Sequence, residues 1–140
     1  MTQLAMKSFK KLVADNPPII CPDSITKYDR NNVELEAFLL FALLTANKPA
    51  HRMADITNRI VEAHWFQNRE GVLTSLGKYD HQVLKSCLKM YKTGQYNRIA
   101  NAIKSFNQFA NLADELRSID LETLENLVGR KTSRFFLLHS

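Results

Sequence analysis

Residues 34–47 read Glu-Leu-Glu-Ala-Phe-Leu-Leu-Phe-Ala-Leu-Leu-Thr-Ala-Asn, and this stretch limits the possible folds more than any other. As a helix it is apolar on nearly every side. A helix of that kind is a core helix, so other helices have to surround it. Burying each Leu or Phe there contributes about 1.5–3 kcal/mol before conformational entropy is subtracted. Asn47 and Pro49 close the helix. Its longest apolar run, Ala37 to Leu44, is far too short to cross a bilayer. Lys7, Lys10 and Lys11 break up the apolar residues at the amino terminus, which argues against a signal peptide. The expectation is a cytoplasmic or nucleoid-associated protein, not secreted, with no membrane partner.

The remaining segments supply partners for that core helix. Residues 1–14 show an amphipathic helical pattern stopped by Asn16-Pro17-Pro18, and residues 19–33 read as a loop laid over the core. Further helices are predicted over 50–64, with Trp65-Phe66 anchoring the end, then over 69–76, ended by Gly77. Residues 80–91 follow from an Asp80 cap, with Val83, Leu84, Cys87, Leu88 and Tyr91 inward. After a turn at Thr93-Gly94 comes a long helix over 95–110, then a short piece capped by Asn111. Asp120 caps the next, with Leu121, Leu124 and Leu127 inward, and a last helix starts at Arg130. No alternating pattern long enough for a sheet occurs. The reading is all-α: a compact multi-helix bundle of some eight or nine short helices. A length of 140 residues suits one domain. Its parts are an N-terminal helix and wrapping loop (1–33), a helical core (34–119) and a final helix pair (120–138).

Net charge is +5, and the surplus is local. Residues 49–106 hold nine Lys or Arg against four Asp or Glu. Lys85, Lys89 and Lys92 follow one another at helical steps, a stripe that suits a solvated face or a phosphate backbone. Cys21 and Cys87 are too few for a disulfide framework, and His51, His64, His81 and His139 lack ligand spacing. No metal and no cofactor is expected.

The stretch from Val128 to Leu138 carries the most chemistry. A glycine at a tight bend is followed by Arg130, Lys131 and Thr132 at the start of an apolar helix. Free backbone N–H groups and the helix dipole favour an anion there. Two basic residues at that end disfavour the helix itself, so a ligand that offsets their cost is implied, and phosphate is the natural candidate.

Three segments in order carry a resemblance to a known family. They are Leu39 to Asn47, Tyr96-Asn97-Arg98-Ile99-Ala100-Asn101-Ala102-Ile103, and Leu121 to Thr132 with its Gly-Arg-Lys-Thr sequence. Together they resemble the helix-hairpin-helix DNA glycosylase superfamily, in its endonuclease III-like branch, from about residue 34 onward. The resemblance implies a helix-hairpin-helix over 120–138, double-stranded DNA as partner, and base excision or abasic-site cleavage as the activity. Lys131 matches the lysine that attacks the sugar carbon in bifunctional members. Asn47 matches the position whose side chain fills the gap left by an extruded nucleotide. Val128 and Gly129 match the hairpin half whose amides hold a phosphate. Arg130 and Arg134 then read as phosphate contacts, and Thr132 completes the matched sequence.

Two departures accompany it. The first hairpin glycine is absent; Asn126 could adopt the left-handed conformation in its place, but less easily than glycine. The family's catalytic aspartate segment and its four-cysteine cluster have no counterpart before Ser140. Either the chain is the amino-terminal part of a longer protein, as its apolar ending suggests, or it has lost the usual chemistry. Asp15, Asp23, Asp29, Asp80 and Asp120 are candidates for the missing acid, though caps and turns explain them. Two other functions remain open: a phage-type enzyme that modifies thymine bases on the same scaffold, and a DNA-binding module without catalysis.

Overall fold

Asn31 starts the central helix. Its side chain accepts from the Glu34 N–H while the Glu34 carboxylate accepts from the Asn31 N–H, a reciprocal cap that satisfies two donors. The resulting helix α1, Asn32–Thr45, begins two residues earlier than its apolar pattern suggests. The structure, a computed structural model, describes residues 19–68 and 71–140. The helix expected over 1–14, its Asn16-Pro17-Pro18 stop and Asp15 lie outside the described residues.

Among the described residues seven more α-helices follow: α2 (Ala50–Asn68), α3 (Val72–Gly77), α4 (His81–Met90), α5 (Tyr96–Ser105), α6 (Leu112–Ser118), α7 (Leu121–Val128) and α8 (Arg130–His139). No strand occurs among the described residues, and the protein is an all-α bundle. Helix α1 lies at its centre, buried from Leu35 to Leu44 and packed against α2, α3, α6 and α8. The α1–α8 seam is aromatic. Phe135 stacks on Phe38 at 5.7 Å between ring centroids, and Phe136 tilts against the same ring at 5.9 Å.

The loop before α1 is clipped to the far end of α8. Arg30, only 6 % exposed, donates to the carbonyls of Ile25, Lys27 and His139 and lies 3.8 Å from the Phe38 ring centroid. Its charge therefore meets the negative end of the α8 dipole. The Lys27 N–H also donates to His139 O, and Asn58 pairs with both backbone groups of Ile20.

Several expectations change. Helix α2 runs on through Trp65 and Phe66 to Asn68, and the anchoring role of those two side chains lies outside the described residues. The long helix over 95–110 stops at Ser105 and tightens into a 3₁₀ turn, Phe106–Gln108. There Ser105 Oγ donates to Ala102 O and competes with the helical ladder, while Asn107 Nδ2 donates to Gly77 O and ties the turn to the end of α3. Val83 is 49 % exposed rather than inward, because the buried line of α4 runs through Leu84 and Leu88. Leu121 is 38 % exposed at the first position of α7, a turn before the buried Leu124. Asn126 is not left-handed. Helix α7 passes through it to Val128, so a single residue, Gly129, makes the corner into α8.

Candidate nucleic-acid interface

Three helix junctions meet at one end of the bundle. The first follows α1, where Asn47 turns the chain at φ 60°. The second precedes α5, where Gln95 sits at φ 48° after Gly94 at φ 72°. The third is Gly129 at φ 90°, between α7 and α8. Asn47, Gln95 and Gly129 all line one open depression of about 380 Å³, together with Ala46, Arg98, Val128, Arg130, Lys131 and Thr132. Left-handed backbone at a residue other than glycine costs free energy, and such residues gather where a ligand needs a particular surface.

The sequence-predicted residues divide into three groups. Lys131 and Asn47 are brought together: Lys131 Nζ donates to Asn47 Oδ1 at 3.2 Å, across 84 residues of chain. Both also line a smaller hollow of about 180 Å³, walled by Ala42, Thr45, Ala46, Thr132 and Phe135. Gly129 and Arg130 lie on the exposed rim beside them. Val128 and Thr132 are buried, so Val128 ties the corner to the core and Thr132 forms wall. Arg134 stands apart from both hollows, its Nε 3.8 Å from the Glu125 carboxylate.

The start of α8 is open. No side chain caps it, and its first internal bond is from the Ser133 N–H to Gly129 O. The N–H groups of Arg130, Lys131 and Thr132 therefore lie ahead of the helical ladder, where an anion is favoured. No Cβ clash explains Gly129, since nothing lies within 4 Å of the position a Cβ would take; the requirement is its positive φ.

Arg98 and Gln95 were not singled out by sequence reasoning. Arg98 Nη2 donates to Leu43 O and its Nε to Gln95 Oε1, each at 2.6 Å. Burial lowers the Arg98 pKa, but a guanidinium stays charged in a protein, so it neutralises the carbonyl end of α1 beside the depression. The signal in the sequence was the basic surplus of residues 49–106, which names no particular cation. No Asp or Glu lines either hollow among the described residues. Asp80 and Asp120 cap α4 and α7, and Asp23 faces His51 at 3.4 Å. No cluster of metal-type ligands occurs among the described residues, and no helix among them is long and apolar enough to cross a membrane.

No protein-family model, no curated protein sequence and no solved structure matches the chain.

Proposed function

We propose that this end of the bundle binds double-stranded DNA and that the protein is of the helix-hairpin-helix glycosylase type, acting in base excision through Lys131. The observation that carries the reading is the contact of Lys131 with Asn47 in the lining of a cationic depression where three positive-φ corners meet. Arg98, Arg130 and Lys131 supply positive charge there, and the free amides of α8 supply directed donors. In this reading the α7–Gly129–α8 corner acts as the hairpin and grips a phosphate. Asn47 reaches into the duplex, which gives up its bond to Lys131 and releases the amine.

The chemistry is simplest at an abasic site. The neutral Lys131 amine adds to the C1′ aldehyde, water leaves, and an imine joins enzyme to sugar. Loss of the 2′ proton then expels the 3′ phosphate by β-elimination. Borohydride added during incubation with abasic duplex reduces the imine to a stable amine. The expected result is a covalent protein–DNA adduct that disappears in Lys131→Ala. An adduct that survives Lys131→Ala removes this residue from the mechanism.

A second reading is a DNA-binding module without catalysis. The absence of a carboxylate from both hollows, among the described residues, favours it. It predicts salt-dependent duplex binding with no trapped adduct and no product. Modification of thymine on the same scaffold is a third outcome, detected as a heavier nucleoside by mass spectrometry where excision yields a free base.

A further inference from the structure

We propose that the DNA face continues past the depression along the α4–α5 corner, where Lys48 and Lys92 hold backbone phosphates flanking those at the start of α8. This rests on the DNA reading above and extends its footprint to residues outside the Lys131 corner.

Lys48 directly follows Asn47, but its side chain reaches toward another junction. A Cβ on Gly94 would lie 3.3 Å from the Lys48 ammonium nitrogen, so the glycine leaves room for it. The Lys48 ammonium, carried on the residue after Asn47, thereby stands beside the Gly94 corner. Lys92 lies two residues before Gly94 and is exposed, with φ 59°. The turn from Tyr91 to Gln95 thus holds three residues at positive φ, two of them not glycine. Its backbone is held by the Thr93 N–H donating to Leu88 O. Lys89, one turn back on α4, is exposed with its ammonium 5.8 Å from the Tyr96 ring centroid. Gln95 and Arg98 then lead from this turn into the depression.

Charge decides what such a surface takes. Lys27, Arg59 and Arg134 each face an acidic side chain, Glu34, Asp55 and Glu125 respectively. Lys48, Lys89 and Lys92 form no ion pair with a described acidic residue. Like charges gathered on adjoining corners repel one another. A run of phosphates relieves that repulsion and gains entropy by releasing condensed counterions. The cations come from two separate junctions, spread rather than converging on one point, which suits successive phosphates better than a single small anion.

The test measures binding of the full chain to a short undamaged DNA duplex between roughly 50 and 200 mM KCl, where each phosphate contact contributes about 0.9 to the slope of log K against log salt. Lys48→Gln and Lys92→Gln are each expected to reduce that slope by about one unit. Arg59→Gln, which removes a charge already paired with Asp55, is expected to leave it unchanged. An equal loss in Arg59→Gln would show a general effect of net charge and overturn the proposal. An unchanged slope in both lysine variants, with a reduced slope in Arg130→Gln, would confine the DNA to the α8 corner and overturn the extension alone. Salt-independent binding by the unaltered chain would overturn both readings.

Discussion

Arg30 shows how one side chain decides a local structure. It lies in a loop whose composition suggests only irregularity, yet its guanidinium bonds three carbonyls and covers Phe38. Hydrogen bonds to a charged group contribute about 1.5–3 kcal/mol each, net of the bonds to water that they replace. Arg30→Met is expected to lower stability by about 2–4 kcal/mol in urea unfolding. A change under about 0.5 kcal/mol, the level of an ordinary surface substitution, would show that the clip contributes nothing. Glu34 acts at the same scale. Burial alone would raise its pKa, but the bonds from Lys27 and the Asn31 N–H and the charges of Lys27 and Arg30 outweigh it and leave the pKa lowered. A depressed folded pKa stabilises the protein above the unfolded value, about 4.3 for glutamate, and that contribution is lost as pH falls through the folded value. Glu34→Gln is therefore expected to flatten the fall in unfolding free energy between about pH 5 and pH 3. Parallel acid limbs in the two proteins would contradict this.

At the scale of elements the corners matter more than the helices they join. Gly129→Ala is expected to cost about 1–3 kcal/mol from backbone conformation alone, since φ 90° with ψ 166° is a region that essentially only glycine adopts while the site itself has open space. Gln95→Gly runs the other way. Relief of the left-handed φ is expected to raise stability by up to about 1 kcal/mol, while the bond to Arg98 is lost and duplex binding weakens. Gln95→Gly binding DNA as tightly as the unaltered chain would show that this strain serves only the turn. The helices themselves follow local rules. Asp80, Asn111 and Asp120 each accept from the N–H three residues on, as their positions before apolar runs suggest. The inward faces of α4 and α7 are less legible, because Val83 and Leu121 fit the helical period yet are only partly covered.

The whole molecule is organised by α1. Leu40→Ala or Phe41→Ala is expected to cost about 3–5 kcal/mol, whereas Val83→Ala stays within about 0.5 kcal/mol. Thermal or urea unfolding compares them directly, and similar costs for Phe41 and Val83 would mean that α1 is not the centre of the core. The sequence by itself determined the all-helical class, the central position of α1 and most helix starts. Period, propensity and caps act over a few neighbouring residues and are written in the residues themselves. Tertiary structure alone decided that Asn47, Gln95 and Gly129 share one depression and that Lys48 reaches Gly94. It also decided that Lys131 meets Asn47 as an actual contact. Each of these depends on how helices distant in sequence pack around α1, and no local pattern specifies where two remote corners will lie.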